Sequence, residues 1–324
     1  MKAIQCVQWG GPERLQLSEV PLPEPTAGEV RIRVAAAGVN FPDALIIQKK
    51  YQVQPPLPFV PGTEVAGTID AVGEGVSRLK AGERVVAFVG LGGFAQYVCV
   101  AQAQVAPLPA NVDLAVAAGF TLTYATAQHA LVERGQLSSG ETLLVLGAGG
   151  GVGLAAVELG KLAGARVIAA ASSEEKLQAA RGLGADELID YSSSDLRETV
   201  KSMTDGRGVD VVYDPVGGAY TAAALRSLAW RGRLLLIGFA AGEIPQLPAN
   251  LLLLKEIAAI GVHWGEFAKR DPASNRRLLA QLFGWLVEGR LKPLVSKQYP
   301  LAETPQALQD LLARRAVGKL VIRP

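Results

Sequence analysis

Side chains that bind metals or form disulfides are scarce in this sequence. It contains two cysteines, Cys6 and Cys99, too few for a disulfide framework, which fits a reducing compartment. Its two histidines, His129 and His263, fall in a predicted helix and a predicted late strand, and neither has a second histidine four residues away or a nearby cysteine. A catalytic zinc ion needs about three protein ligands. We therefore expect no zinc centre and interpret each histidine as an ordinary core or surface side chain.

Long runs of one charge sign and long uninterrupted apolar segments are also missing. The net charge is +2 and no basic stripe is interleaved with aromatic residues, which argues against a nucleic-acid-binding surface. The first residues, MKAIQCVQWGG, lack the apolar core of a signal peptide. The most apolar segment, LPANLLLLKEIAAIGVHW, is interrupted by Lys255, Glu256 and His263, so it does not predict a membrane span. We expect a soluble cytoplasmic protein.

Apolar residues are plentiful enough for two buried cores. The chain has 324 residues, of which 49% are hydrophobic, and this length suits about two domains. Up to Phe120, short segments such as EVRIRVAAAG and ERVVAFV alternate polar and apolar residues, as half-buried strands do. Turn residues separate these segments. They predict a barrel-like or sandwich β domain over residues 1–120.

From Thr121 onward, predicted strands alternate with predicted helices. The segment ETLLVLGAGGGVGLAAVELGKLAGARVIAAAS is typical of a strand, a glycine turn, an amphipathic helix and a second strand. Four later apolar segments, ELIDY, VDVVYDPVGG, GRLLLIGF and IAAIGVHW, add strands. Six such strands predict an α/β dinucleotide-binding domain with a doubly wound parallel sheet over residues 121–264. Residues 265–324 end in the strand KLVIRP and are expected to complete the first domain.

The glycine turn GAGGGVG carries the strongest motif. Gly150 and Gly153 fill the second and third places of the dinucleotide fingerprint, while Ala148 stands in the first. Such a turn lets backbone N–H groups and a helix N-terminus face a pyrophosphate. A plain strand–turn–helix corner is the alternative, but the surrounding strands favour the dinucleotide. The predicted cofactor-binding residues of the turn are Gly147, Gly150, Gly151, Val152 and Gly153.

The end of the next strand bears on the choice of dinucleotide. An NAD site usually has an acidic residue there, whereas this chain has Ser172 and Ser173, followed by Lys176 one turn on. Serine and lysine suit a 2′-phosphate, and Tyr191 could add a hydroxyl, so we predict NADPH. Two alternatives stay open. Ser172 and Glu175 could form a helix capping box, and Glu174 or Glu175 could fold back to a ribose hydroxyl.

The whole chain resembles the medium-chain dehydrogenase/reductase superfamily. The resemblance rests on MKAIQ, GEVRIRVAAAGVNFPD, PGTEVAG, AVGEGV, GAGGGVG and GKLVIRP. In zinc-containing members the position of Thr63 is a histidine ligand, so the sequence is most similar to the zinc-free quinone oxidoreductase, or zeta-crystallin, branch. This resemblance implies a GroES-like catalytic domain, a Rossmann domain, NADPH and a homodimer, with Glu64 retained as scaffold.

The resemblance also implies which residues lie near the nicotinamide and the substrate. Asn40 matches a position that contacts the nicotinamide ribose, although it could be a turn residue, and Asp43 could act or cap the next helix. Tyr51 matches a tyrosine that related enoyl-thioester reductases use near the substrate, with packing on prolines as the alternative. The usual glycine before it is replaced by Lys49 and Lys50.

Further cofactor contacts are expected where parallel strands end. Thr123, which opens the second domain, matches a position near the nicotinamide. Pro215 and Val216 follow the fourth strand, Gly238 and Phe239 lie at the end of the fifth, and Val262 to Trp264 are predicted to end the sixth. Each of these residues, taken singly, is more readily explained as part of the wall of the cofactor cleft than as a group that takes part in the reaction.

Three functions fit this sequence. The first is an NADPH-dependent reductase of quinones or α,β-unsaturated carbonyls, because an electron-poor hydride acceptor does not need a Lewis acid. The second is an enoyl-thioester reductase, in which Lys49, Lys50 and Lys80 would serve a phosphopantetheine or CoA carrier. The third is a non-enzymatic nucleotide- or RNA-binding protein, which the balanced charge disfavours.

Overall fold

The computed structural model describes the complete chain, Met1–Pro324, which divides into two compact units. Unit 1 comprises Met1–Leu122, Ala268–Gly289 and Pro293–Pro324, and unit 2 comprises Thr123–Phe267 and Arg290–Lys292. The functional domain boundaries given above stay a prediction. No helix combines the length and the apolar character needed to cross a membrane.

Fifteen strands and ten α-helices make up the regular structure. The strands are β1 Lys2–Cys6, β2 Leu15–Glu19, β3 Glu29–Gly38, β4 Glu64–Val72, β5 Arg84–Phe88, β6 Tyr97–Ala101, β7 Val105–Pro107, β8 Thr142–Leu146, β9 Arg166–Ala171, β10 Glu187–Asp190, β11 Val209–Asp214, β12 Leu228–Leu236, β13 Ala258–Gly261, β14 Val295–Pro300 and β15 Lys319–Arg323. The helices are α1 Phe41–Ile47, α2 Leu114–Gln128, α3 Gly151–Leu162, α4 Glu174–Gly182, α5 Leu196–Met203, α6 Gly218–Ser227, α7 Ala249–Lys255, α8 Trp264–Arg270, α9 Pro272–Val287 and α10 Thr304–Leu312.

Unit 1 is built on a seven-stranded sheet in the order β14-β15-β3-β4-β5-β7, with β6 also paired to β3. Only β14 and β15 run parallel; the other neighbours are antiparallel. The register aligns Gly38 at the end of β3 with Glu64 at the start of β4 and with Val321 of β15. Three strands that are far apart in sequence, β3, β4 and β15, are therefore side by side at these residues.

Unit 2 contains a six-stranded parallel sheet in the order β10-β9-β8-β11-β12-β13. This is the order of a Rossmann fold, with the reversal beside the first strand, so the α/β prediction is confirmed. All five residues of β8 are buried, as expected of a strand covered on both faces. The carboxyl ends of β8, β9, β10, β11 and β12 consequently carry the turns that a dinucleotide would meet.

The end of the sixth strand differs from the prediction. Strand β13 stops at Gly261, so Val262 follows the strand, His263 lies outside it, and Trp264 is the buried first residue of α8. The Val262 N–H still donates a hydrogen bond to the neighbouring strand β12, at Leu236 O, over 3.1 Å. Phe267 N–H then bonds to His263 O at 3.1 Å, which is a helical bond. Apolar character alone did not distinguish this buried helical turn from a strand.

Candidate active site

The glycine turn after β8 has the geometry of a nucleotide-binding turn. Gly147 has φ +58°, a conformation that L side chains rarely adopt, and Gly150 precedes α3 as its N-cap. A Cβ at Gly153 would collide with the Gly147 carbonyl oxygen, so glycine is required where the helix meets the turn. Gly147 thus makes the sharp turn, while buried Ala148 donates its N–H to Ala170 O at 3.0 Å.

The mouth of this turn fits a pyrophosphate. A Cβ built at Gly150 would meet only the Gly147 carbonyl oxygen, at 3.5 Å, so the space above it is open. The N-terminus of α3, a helix of 12 residues, begins at Gly151 and supplies unpaired backbone N–H groups. Gly151 and Val152, in its first turn, are the residues that would lie against the phosphates. The residues present therefore suit a dinucleotide.

The predicted 2′-phosphate residues come together beside this turn. Lys176 Nζ donates to Ser172 Oγ at 3.5 Å, and the stem of Lys176 presses so closely on Gly149 that a Cβ there would collide with it. One hydroxyl and one ammonium group thus lie next to the turn. Tyr191 follows β10 and packs against Tyr220 with the two rings tilted by 40° and their centroids 4.4 Å apart.

The capping box proposed for Ser172 and Glu175 is wrong. Helix α4 begins at Glu174, so its N-cap is Ser173, whose side chain makes no capping bond. Ser173 still has an extended backbone conformation, so the helix begins one residue later than the S-x-x-E spacing assumed. Glu174 accepts a hydrogen bond from Gln178 Nε2 at 2.6 Å along the helix surface, an arrangement that holds this carboxylate on α4.

A buried aspartate that the sequence reasoning did not single out shapes the turn after β11. Asp214 Oδ1 accepts from the N–H groups of Val216 at 2.8 Å and Gly217 at 3.0 Å, and its Oδ2 accepts from the Thr221 hydroxyl. This fixes Pro215 and Val216 as a rigid turn. A methyl group of Val216 lies 2.9 Å from where a Gly147 Cβ would stand, so the turns after β8 and β11 are in contact.

The remaining predicted cofactor residues have varied settings. Gly238 and Phe239 follow β12, and the Gly238 N–H approaches Asp214 O at 3.4 Å, which brings this turn beside the one after β11. Thr123 is buried in α2. A cofactor contact by any of these residues stays a prediction.

In unit 1, Glu64 is the centre of a buried polar cluster. The cluster consists of Asn40, Asp43, Thr63, Glu64 and Lys319. Glu64 Oε1 accepts from Asn40 Nδ2 and Lys319 Nζ, both at 3.0 Å, and its Oε2 accepts from Leu122 N–H at 2.8 Å. Glu64 is 1% exposed and Lys319 is 6% exposed, so this is a buried ion pair.

Lys319 fixes the amide of Asn40. Lys319 Nζ donates to Asn40 Oδ1 at 2.7 Å and to Val39 O at 2.9 Å. Asn40 Nδ2 in turn donates to Gly38 O at 3.3 Å and Thr63 Oγ1 at 3.2 Å. Because these bonds occupy the amide within unit 1, the ribose contact of Asn40 stays a prediction. The sequence analysis did not identify Lys319 as a member of this cluster. The signal that could have identified it is a charged residue at the start of the apolar strand KLVIRP.

Asp43 caps the helix that follows Asn40. Its Oδ2 accepts the Asn40 N–H at 2.8 Å, while its Oδ1 has no hydrogen-bond partner despite complete burial. Burial raises the pKa of the Asp43 carboxyl to about 7, and the Asn40 N–H and the Lys319 charge lower it by less. The capping alternative is therefore observed, and it leaves one carboxyl oxygen unused.

Tyr51 lies half-buried against the unit 1 core, directly after the turn in which Lys49 and Lys50 replace the usual glycine. Burial raises the pKa of its phenol, and the charge of Asp43 raises it further. Lys49 has φ +59°, the left-handed conformation typical of the glycine it replaces. Its ammonium lies 5.8 Å from the Trp9 ring centroid.

Side chains of the types that can bind a metal ion are not grouped together. No group of three or more His, Cys, Asp or Glu is arranged to hold a metal ion. His129 begins a π-helical turn, His129–Arg134, and stacks on Phe267 with ring centroids 4.3 Å apart. Burial lowers the pKa of His129, and its Nδ1 has no partner. Its setting is that of a core side chain.

Comparison with family models matches two segments of the chain. Residues 26–110 match the model described as alcohol dehydrogenase GroES-like domain. Residues 151–281 match the model described as zinc-binding dehydrogenase. The polar cluster therefore draws Asn40, Asp43, Thr63 and Glu64 from the first segment, and the second segment begins at Gly151, inside the glycine turn.

Relatives and solved structures match over the full length. A quinone oxidoreductase-like protein 2 homolog from Nematostella vectensis is 37% identical over 324 residues, covering 99% of this chain and 88% of the relative. A mycobacterial structure complexed with NADPH has a TM-score of 0.95 at 35% identity. The Escherichia coli quinone oxidoreductase complexed with NADPH has a TM-score of 0.94 at 31% identity. Both structures are covered completely and cover this chain completely.

Proposed function

Because this chain belongs to the quinone oxidoreductase branch of the medium-chain dehydrogenase/reductase superfamily, we propose that it reduces a quinone or an α,β-unsaturated carbonyl with NADPH. The observation that carries the proposal is the position of Lys176 beside Ser172 at the open glycine turn. An ammonium and a hydroxyl there suit a 2′-phosphate, and two full-length structural relatives are complexed with NADPH.

In this proposal unit 2 holds the cofactor. Gly150, Gly151 and the N-terminus of α3 bind the pyrophosphate, while Ser172, Lys176 and Tyr191 bind the phosphorylated ribose. The turns after β11 and β12 line the nicotinamide end. NADPH, when bound, supplies the hydride. The protein's own contribution is to hold the cofactor and acceptor in a fixed geometry.

Unit 1 contributes the groups that would handle the acceptor. The chain has only two histidines and two cysteines, and the family resemblance implies that Thr63 stands where zinc-containing members have a histidine ligand. An acceptor that is already electron-poor, such as a quinone or an enone, suits this site. We propose Tyr51 as the donor to its carbonyl oxygen, because a phenol is protonated at neutral pH, and burial and the charge of Asp43 raise its pKa further.

Stopped-flow oxidation of NADPH tests the proposal. The panel comprises small quinones, enals and crotonyl thioesters at matched concentrations, each with NADPH and with NADH. We expect quinones or enals to turn over fastest and NADPH to be preferred. Turnover confined to the thioester would indicate an enoyl-thioester reductase instead, and no turnover of any acceptor would contradict the proposal.

We also propose that two copies associate through β13. This strand is the outer edge of the parallel sheet, and the preceding helix α7 exposes Leu253 and Leu254 to 79% and 66%. An unpaired strand edge beside large exposed apolar side chains suits an interface. Light scattering at micromolar concentration should give a dimer mass, and Leu254→Glu should shift it towards the monomer. A monomeric wild-type chain would refute the association.

A further inference from the structure

The turn after β10 holds Tyr191 next to the residues proposed to bind the 2′-phosphate. Asp190, the last residue of β10, pairs with Ala171, the last residue of β9. One residue further on, the Tyr191 N–H donates to Ala171 O at 3.1 Å, so the backbone of Tyr191 lies beside the step from Ala171 to Ser172. Asp190 Oδ1 accepts from the Ser192 N–H at 2.9 Å and from the Ser192 hydroxyl at 2.6 Å. The backbone of Tyr191 is therefore fixed on both sides.

A fixed backbone still leaves the phenol ring of Tyr191 two side-chain bonds about which it can rotate. A ring that has to be ordered when the cofactor binds loses conformational entropy, and this loss weakens binding. A ring that is already held in one place does not incur the loss. Tyr191 is half-buried, so its ring is not fixed by burial alone. A neighbouring group that restricts the ring would strengthen any hydrogen bond that the phenol donates to a ligand.

Tyr220 is such a neighbouring group. The rings of Tyr191 and Tyr220 have their centroids 4.4 Å apart and their planes tilted by 40°, which is a direct aromatic contact. Both side chains are partly buried, and both pack against the same hydrophobic core of unit 2. Contact with a second ring and with this core leaves the Tyr191 ring fewer orientations than a ring in solvent has.

Tyr220 is itself held by the buried aspartate after β11. It is the third residue of α6. Asp214, which is 0% exposed, accepts hydrogen bonds at Oδ1 from the N–H groups of Val216 and Gly217. Its Oδ2 accepts from the hydroxyl of Thr221, the residue that follows Tyr220. The start of α6 is bonded on both sides of this carboxylate, so it is a firm support for the Tyr220 ring.

We propose that Tyr220 is a positioning residue for the choice of cofactor: its ring holds the Tyr191 phenol ready to donate to the 2′-phosphate that distinguishes NADPH from NADH. This inference rests on the function proposed above. Ser172 and Lys176 supply the other hydroxyl and the ammonium group. Because NADPH and NADH share every other group, the effect of Tyr220 lies in the ratio of their affinities.

Calorimetric titration of the intact protein with 2′,5′-ADP and with 5′-AMP tests this role without any hydride acceptor. The two ligands differ only in the 2′-phosphate. We expect the wild type to prefer 2′,5′-ADP, and Tyr220→Leu to lower this preference by about threefold to fivefold, the cost of ordering one side chain on binding. Tyr220→Phe should keep the wild-type preference, because it keeps the ring.

Two results of these titrations would overturn the inference. The first is an unaltered preference in Tyr220→Leu, including the case in which the affinity for both ligands falls equally. The second is a lowered preference in Tyr220→Phe, because the Tyr220 hydroxyl would then bind the phosphate itself and would not act through Tyr191.

Met203→Ala is the matched control for lost packing. Met203, in α5, is also partly buried against the core of unit 2. Its removal should leave the preference unchanged, and a decrease equal to that of Tyr220→Leu would overturn the inference. Tyr220→Met is a second variant should Tyr220→Leu fold poorly, because the flexible methionine side chain fills much of the volume without a rigid ring. It should show the same decrease as Tyr220→Leu.

A double-mutant cycle tests whether Tyr220 acts through Tyr191. Tyr191→Phe alone should lower the preference for 2′,5′-ADP by about tenfold, since it removes a hydrogen bond to a charged group. Adding Tyr220→Leu to Tyr191→Phe should then change the preference no further, and multiplying losses would contradict the positioning role.

Failure of the proposed function gives a different result. A wild type that binds 2′,5′-ADP and 5′-AMP equally would contradict the choice of NADPH, and the inference about Tyr220 with it. A wild type that prefers 2′,5′-ADP but reduces no acceptor would contradict only the reductase activity, and the fragment titrations would still decide the role of Tyr220.

Discussion

The glycine turn of unit 2 and the polar cluster of unit 1 are built in opposite ways. The turn is a continuous stretch, residues 147–153, that presents backbone atoms around open space. The cluster is formed by side chains from segments separated by up to 279 residues in sequence, and it is closed to solvent. The structure of the glycine turn depends on the absence of side chains, whereas the structure of the polar cluster depends on hydrogen bonds and ion pairs between its side chains.

This difference sets how each region should respond to substitution. The turn has no room for a Cβ at Gly153, so even a methyl group should disturb it. The cluster is buried, so it has little tolerance for an unmatched charge. Substitutions that add volume should therefore damage the turn, and substitutions that remove charge should damage the cluster.

The largest effect is expected when the cluster loses its cation. Lys319→Met leaves Glu64 buried without its ammonium partner, which should lower the free energy of unfolding by about 3–5 kcal/mol. Urea denaturation measures the change. Lys297→Met is the matched control, because Lys297 is a lysine of the neighbouring strand β14 whose side chain is 57% exposed. Its midpoint should stay near that of the wild type. Equal losses in the two variants would show that burial of the ion pair is unimportant.

Added volume in the turn should have the next largest effect. Gly153→Ala forces the turn and α3 apart, which should lower the free energy of unfolding by about 1–3 kcal/mol and weaken NADPH binding. Gly284→Ala in α9 is the control, because a Cβ there meets no atom within 4 Å. It should stabilise the protein by about 0.5–1 kcal/mol through helix propensity. A wild-type NADPH affinity in Gly153→Ala would argue against a tightly packed nucleotide turn.

The smallest effect concerns the cofactor preference of the turn. Lys176→Ala should reduce the ratio of NADPH to NADH affinity by about tenfold, the lower part of the range for a charge-assisted hydrogen bond. Because the lysine is only half-buried, added salt should shrink the difference. Lys201→Ala removes a lysine of α5 whose side chain is 61% exposed, and it should leave the ratio unchanged. Titrations of both nucleotides give the ratio, and an unaltered value in Lys176→Ala would place the 2′-phosphate elsewhere.

The sequence predicted features that depend on neighbours along the chain. Strand–turn–helix order identified the six parallel strands and the glycine turn, because each element shows its own periodicity. The boundaries were less secure. The N-cap of α4 is Ser173 instead of Ser172, and Trp264 begins a helix instead of ending a strand. Both positions depend on where the strand ladder ends, which a short apolar or polar run does not specify.

What the sequence determined by itself was the chemistry available to this protein: few metal ligands, a glycine turn followed by serine and lysine, and a tyrosine after α1. The tertiary structure alone decided that Lys319 meets Glu64, that Asn40 directs its amide into the cluster, and that Asp43 keeps an oxygen without a partner. The physical reason is that sheet register brings β3, β4 and β15 together at one edge. Proton affinity in a buried cluster depends on that assembly, since neighbouring charges and exclusion of water act through space.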